Sequence, residues 1–207
     1  MIERPHLTTI IAIAVATIFV MLWMTGDRPN WRWFSSIGAA VGAVLLSMAI
    51  FDKWLWKIPL LQGWFVNRPV LEGDWTGEIR SQWLDPDTEQ NPPPIPARIS
   101  IRQSYSKIHL NLETDQSGGD FVTSTIVRKE DGTYRVVGTY RNEPRLEFRR
   151  ESPVHLGTMW LDVIGDAKAP TELRGRYWTE RQTVGEITAL RRTSRITLVA
   201  TITGDKL

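Results

Sequence analysis

Eight short runs in which apolar and polar residues alternate follow one another along the last two thirds of the chain. Such alternation is typical of half-buried β-strands, and no segment between the runs has helical periodicity. Turn sequences such as Asp131-Gly132 separate the runs, as expected of hairpins. We therefore predict an antiparallel up-and-down β-barrel of about eight strands, lipocalin-like in shape, with a β-sandwich as the alternative. The predicted strands are residues 74–83, 97–103, 107–114, 121–129, 134–140, 155–164, 173–180 and 184–191.

The two ends of this β-rich region have features of their own. Gly73-Asp74-Trp75 opens the first run in the manner of the G-x-W opening of lipocalin-like barrels, where the indole plugs one end. Residues 84–96 contain five prolines and predict a long, stiff loop between the first two strands. Residues 195–203 fit either a ninth strand or a tail.

Two runs without a charged residue lie near the N-terminus, residues 7–24 and 33–51. Because about 20 apolar residues span a bilayer, we predict a two-helix transmembrane hairpin over residues 1–52, with a cleaved signal peptide as the alternative for the first run. Tryptophans flank both runs, as at membrane interfaces. Residues 53–68 are then an interfacial linker and residues 69–207 the barrel. The flanking cations place both termini and the barrel in the cytoplasm.

A G-x-x-x-G motif, formed by Gly38 and Gly42, lies in the second uncharged run. Two glycines four residues apart let helix backbones approach closely, so we predict that this face packs against a helix. The partner is either the first helix of the same chain or a helix of another protomer.

The chain lacks the residues that metal binding, enzymatic catalysis and binding to nucleic-acid polymers require. The chain has no cysteine, and its three histidines are not at metal-ligand spacing. No carboxylate pair forms a recognisable catalytic motif, so we expect no enzymatic activity, no metal and no cofactor. Beyond Val66 the chain has 20 basic and 20 acidic residues, and this balance argues against binding to DNA or RNA polymers.

The whole arrangement resembles a known family of bacterial effectors. The residues that carry the resemblance are the Gly73-Asp74-Trp75-Thr76-Gly77 segment and the segments at residues 173–181 and 185–187, together with the N-terminal helices. The chain is similar to CBASS antiphage effectors with two transmembrane helices and a β-barrel. That resemblance implies that the barrel binds a cyclic dinucleotide, that the protein then oligomerises in the inner membrane, and that membrane disruption kills the infected cell.

A cyclic dinucleotide presents two base faces, base edges and two phosphates, so its pocket needs aromatic rings, amides or hydroxyls, and a guanidinium. Strand parity and this chemistry select eight candidate ligand-binding residues, each of which also has a plain reading as barrel packing or a turn. A membrane-anchored barrel for a lipid or other apolar ligand, and a structural protein without ligand, are the alternative functions. The candidates are Trp75, Gln103, Tyr105, Tyr140, Asn142, Tyr177, Thr179 and Arg181.

Overall fold

The computed structural model describes residues 15–16, 19–20, 23, 31–86, 88–150 and 152–191. One α-helix, α1 (Trp31–Lys53), and a short 3-10 helix (Leu55–Lys57) precede the strands, and a second 3-10 helix (Leu146–Phe148) follows the fifth strand. The strands are β1 (Gly73–Ser81), β2 (Ile95–Gln103), β3 (Ile108–Thr114), β4 (Ser117–Arg128), β5 (Tyr134–Pro144), β6 (His155–Asp166), β7 (Ala169–Thr179) and β8 (Val184–Arg191).

The eight strands form a closed barrel. Each strand lies next to its neighbours in the sequence, and β8 pairs with β1. Trp75 in β1, for example, is opposite Ile99 in β2 and Arg191 in β8. Closure satisfies the backbone hydrogen bonds of every strand and leaves no exposed edge. The predicted eight-stranded antiparallel up-and-down barrel is thereby confirmed.

Alternate residues of each strand point into the barrel and form its core. We name the two ends of the barrel after one residue each. The Trp75 end is the end at which β1 begins and β2 ends, and the Tyr140 end is the end at which β5 ends and β6 begins. The Trp75 end is closed by the fully buried Trp75, whose indole Nε1 donates to the Leu71 carbonyl at 2.9 Å. Further fully buried side chains fill the core, namely Ile99, Leu110, Met159, Leu161, Leu173 and Ile187.

The structure contradicts the two-helix transmembrane hairpin. Among the residues that the structure describes, α1 is the α-helix with defined bounds, residues 15–16, 19–20 and 23 are also helical, and no helix is both long and apolar enough to cross a membrane. The hairpin was inferred from an absence of charge, which is a weaker condition than sustained apolarity over about 20 residues. The helix α1 includes uncharged but polar Ser35, Ser36 and Ser47, and it has charged residues near both of its ends. Most of the first predicted span, and all of residues 195–203, lie outside the described residues.

Two compact units account for the described residues. The N-terminal unit takes in residues up to Val70 together with Gln103–Ile108, and the barrel unit takes in Leu71–Arg102 and the residues from His109 onward. The turn between β2 and β3 therefore belongs to the N-terminal unit, although its two flanking strands belong to the barrel. The predicted boundaries, residues 1–52, 53–68 and 69–207, stay a prediction.

Candidate functional site

Strand register brings a set of inward-facing residues together at the Tyr140 end. Tyr140 in β5 is opposite Gly157 in β6, and Gly157 is opposite Thr179 in β7. Tyr177 in β7 is opposite Gly185 in β8, which is in turn opposite Ser81 in β1. Four consecutive strand pairs thus place two tyrosines, two hydroxyl residues and two glycines around one end of the barrel interior.

Each of the two tyrosine rings occupies the space above a glycine on the neighbouring strand. A Cβ built at Gly157 would lie 2.5 Å from Tyr140 Cζ, and one built at Gly185 would lie 2.5 Å from Tyr177 Cε1. Any larger residue at either glycine would push the ring away from the strand. The glycines therefore let the rings lie close to the barrel wall, where Tyr140 is 4% exposed and packs against Phe121 with the ring centres 5.4 Å apart.

Burial raises the pKa of both phenols, which are neutral at neutral pH even without this shift. Burial raises the pKa of Tyr140 well above its usual value, and the nearby Tyr177 raises it further. Burial also raises the pKa of Tyr177, while a hydrogen bond with the Ser81 side chain opposes that shift. Both hydroxyls thus remain protonated at neutral pH and can donate hydrogen bonds to an anionic ligand.

Further polar side chains accompany the tyrosines. Thr179 is buried, and its hydroxyl lies 2.6 Å from the Thr183 hydroxyl. His155 is buried, and its Nδ1 lies 2.8 Å from the Pro153 carbonyl. A carbonyl only accepts hydrogen bonds, so Nδ1 carries the proton and the neutral ring has its acceptor at Nε2. Asn142, which is half-buried, is opposite His155 in the β5–β6 register.

His155 was not selected from the sequence, where it was considered only as a metal ligand. Its parity relative to Met159 and Leu161 predicts that it points inward, so strand alternation contained the missing signal. Within the described ranges, no group of three His, Asp or Glu side chains converges in a way that would hold a metal ion.

Arginines lie around the Tyr140 end without entering the barrel core. Arg181, in the turn between β7 and β8, is exposed, and its guanidinium donates to the Ser152 hydroxyl at 2.7 Å. Arg149 donates to the Pro144 carbonyl at 3.0 Å, and Arg141 lies 3.1 Å from a Glu143 carboxylate oxygen. These cations can meet a ligand phosphate at the rim but not deep in the interior.

The remaining candidates lie elsewhere. Trp75 closes the opposite end of the barrel, and Gln103, at the last position of β2, donates to the Pro69 carbonyl at 2.9 Å. The Tyr105 ring belongs to the N-terminal unit, where it packs against Phe51. Of the eight predicted residues, the structure brings Tyr140, Asn142, Tyr177 and Thr179 to one end, with Arg181 at its rim.

A groove of about 870 Å³ lies on the outer face of the barrel, away from the tyrosines. Outward-facing residues line it, and their charges pair with one another: Arg80 with Glu78 at 2.6 Å and Arg176 with Glu186 at 3.5 Å. Its lining has three arginines and three acidic residues and so no excess positive charge, which makes this groove less suited to a dianionic ligand than the Tyr140 end.

Comparison with known proteins gives the family. Residues 66–191 match the family model described as Cap15, cyclic dinucleotide receptor domain. The chain belongs to the Cap15 family. The Cap15 match includes all eight strands of the barrel, from β1 to β8.

Two proteins called CD-NTase-associated protein 15 are similar over most of their length. The protein from Yersinia aleksiciae is 33% identical over 188 residues, which cover 86% of this chain and 85% of the relative. The protein from Staphylococcus schleiferi is 23% identical over 172 residues, covering 82% of this chain and 87% of the relative. The Cap15 match supports a CBASS effector whose barrel is a cyclic dinucleotide receptor domain.

Proposed function

We propose that this Cap15 chain binds a cyclic dinucleotide at the Tyr140 end of its barrel, then oligomerises at the bacterial inner membrane and disrupts it. The observation that carries the binding step is the pair of tyrosine rings, Tyr140 and Tyr177, each held above a glycine of the next strand. Two bases need two aromatic faces, and base stacking on such rings tolerates different bases.

The other groups at this end match the remaining parts of the ligand. Asn142, Thr179 and His155 supply amide, hydroxyl and imidazole groups for base edges. The neutral phenols donate to phosphate oxygens without charge repulsion, and Arg181 provides a cation at the rim. A lipid carrier would instead need a uniformly apolar cavity, whereas the apolar part of this interior is filled by its own core side chains.

The membrane step of the proposal is supported by the segment that follows α1. Trp54, Leu60, Trp64 and Phe65 each expose more than half of their surface. Lys53 lies beside this group, with its Nζ 4.6 Å from the Trp54 ring centre. Exposed indoles next to a lysine favour the headgroup region of a bilayer that contains anionic lipids. We also propose that the barrel and both termini lie on the cytoplasmic side.

Calorimetric titration of the full-length protein with cyclic di-AMP, cyclic di-GMP, cyclic di-UMP and cyclic GMP-AMP tests the binding step. We expect one of them to bind the wild type, and Tyr177→Ala to abolish the heat. Tyr105→Ala is the matched control, because it removes a tyrosine of the N-terminal unit, and it should bind as the wild type does. Equal binding by both variants would refute the assignment.

Vesicles with bacterial lipid composition test the membrane step. The ligand that binds should convert the wild type to a larger species in sedimentation and release a trapped dye. Binding without assembly or dye release would leave a receptor but refute the effector mechanism.

A further inference from the structure

The turn between β2 and β3 is held by the end of helix α1. The Tyr105 amide donates to the Asp52 carbonyl at 2.8 Å, and the Ser106 amide donates to the Asp52 carboxylate at 2.8 Å. One helix residue therefore satisfies two consecutive backbone donors of a turn that lies 54 positions away in the sequence. Both contacts lie within the N-terminal unit.

Aromatic packing reinforces these hydrogen bonds. The Tyr105 ring packs edge-on against Phe51 of α1 at 5.2 Å and lies 6.2 Å from the ring of Trp56. The Arg68 guanidinium lies 5.9 Å from the centre of the Tyr105 ring. Edge-to-face ring pairs and a guanidinium over a ring are both attractive. We call this set, Phe51, Asp52, Trp56, Arg68, Tyr105 and Ser106, the turn clamp.

The other hairpin turns at the Trp75 end provide a comparison. In the β4–β5 turn, the Asp131 carboxylate accepts from the Thr133 amide at 2.9 Å. In the β6–β7 turn, the Asp166 carboxylate accepts from the Lys168 amide at 2.9 Å. In both turns the aspartate that accepts the hydrogen bond lies two residues before the residue that donates it, which is a common local arrangement. Only in the β2–β3 turn, among these three, does the carboxylate come from helix α1.

Continuity of the chain connects the turn clamp to the proposed ligand site. Strand β2 starts at Ile95 and β3 ends at Thr114, both at the Tyr140 end, and the two strands meet in the clamped turn. Asn142 of the proposed site is opposite Gly119 in β4, and Gly119 is opposite Leu112 in β3, so the register links the site to β3. A displacement of β3 at this end is then carried along the paired strand to the turn. Because the turn is bound to α1, the displacement reaches the helix.

We propose that the turn clamp transmits ligand binding from the barrel to the N-terminal unit. This inference rests on the proposed function, since it takes the cyclic dinucleotide as its input. The clamp makes the turn and the end of α1 move as one body. A barrel with a broken clamp therefore still binds its ligand but no longer changes the N-terminal unit.

Amide hydrogen exchange of the full-length protein, with calorimetry on the same samples, tests the clamp. In the wild type, saturating ligand should change exchange of residues 50–57 by about fivefold or more. Asp52→Ala should bind with unchanged affinity and lose this response. Asp131→Ala, which removes the matching carboxylate of a turn outside the clamp, should keep it. A wild-type response that survives in Asp52→Ala would overturn the proposal.

A disulfide between positions 52 and 106 distinguishes loss of the turn clamp from misfolding of the variant. The chain has no cysteine, so Asp52→Cys combined with Ser106→Cys creates a single pair of thiols. The reduced protein should bind ligand without a response at residues 50–57, and oxidation to the disulfide should restore the response. Equal responses before and after oxidation would contradict the clamp.

Ligand-free exchange distinguishes failure of the clamp from failure of the proposed function. If none of the four cyclic dinucleotides binds the wild type, the proposed function is refuted. The clamp is then judged by Asp52→Ala alone, which should raise exchange at Tyr105 and Ser106 and at residues 53–57 together. An increase confined to Ser106 would refute the clamp as well.

Discussion

The Tyr140 ring lies above Gly157, so close that a Cβ at residue 157 would be 2.5 Å from Cζ and 2.6 Å from the hydroxyl oxygen. All three of the nearest atoms belong to this one side chain, so the glycine determines where the ring can be. A ring held in this way is already positioned against the barrel wall, so its position does not have to be fixed when the ligand binds.

Replacing Gly157 with alanine should displace the Tyr140 ring. We expect a loss of about 1–3 kcal/mol in the free energy of unfolding from overpacking, and about tenfold weaker cyclic dinucleotide binding. Gly118→Ala is the matched control, because a Cβ at that strand glycine meets no atom within 4 Å. Urea unfolding and calorimetry measure the two effects, and equal behaviour of the two variants would contradict the ring placement.

Alkaline pH should destabilise the barrel through Tyr140. Burial raises the pKa of Tyr140 in the folded protein, while the unfolded chain titrates near the usual value of about 10. Stability is therefore fully present below about pH 10 and falls above it, by up to about 1.4 kcal/mol per pH unit, because the unfolded state loses its proton first. Tyr140→Phe should flatten this decline in urea unfolding at pH 9 to 11, and parallel profiles for the two proteins would refute it.

Trp75 should matter for stability and not for ligand binding. It is fully buried at the end opposite the tyrosines and donates a hydrogen bond to the Leu71 carbonyl. Trp75→Phe should lower the free energy of unfolding by about 1–3 kcal/mol, through lost volume and the loss of this hydrogen bond. Val122→Ala, at a side chain that is 67% exposed, should change it by at most about 0.5 kcal/mol. If Trp75→Phe weakened ligand binding while stability stayed unchanged, the assigned role would be incorrect.

Gly42 should affect assembly and not ligand binding. A Cβ at Gly42 meets no atom of the described chain within 4 Å, so these residues leave space for a side chain at this position. We expect Gly42→Leu to bind ligand as the wild type does and to lose ligand-dependent assembly and toxicity, since bulk prevents close helix approach. Ser47→Leu adds bulk at an exposed position on a different side of α1, about 140° around the helix axis from Gly42, and should remain active. Full toxicity of Gly42→Leu in cells would contradict packing at this glycine.

Strand alternation in the sequence predicted much of the barrel, but it did not predict where along the barrel axis each side chain lies. Tyr140 and Tyr177 share parity with core positions, so their inward direction followed from the pattern. Gln103 and Tyr105 were grouped with them, although parity does not say at which end a side chain lies. That information needs strand order and register, which depend on closure of the whole sheet.

The glycines and the helices show the same limit of local patterns. The sequence contains Gly157 and Gly185, but only the register places them opposite Tyr140 and Tyr177. Asp52 and Ser106 are far apart in the chain, so no local signal predicted their hydrogen bond. In the N-terminal region, two uncharged runs predict a transmembrane hairpin, and the structure contradicts it. Absence of charge alone does not establish that a helix is apolar enough to span a bilayer.

Photo-crosslinking of a bound cyclic dinucleotide, followed by peptide mapping, tests the central claim most directly. An analogue of the tightest-binding compound with an azido group on one base, irradiated with the full-length protein, should modify residues of the Tyr140 end, with Tyr140, Tyr177 and His155 as the expected positions. An excess of unmodified compound should abolish the adducts. Adducts on the outer groove around Trp160, or at Tyr105 in the N-terminal unit, would contradict the proposed site.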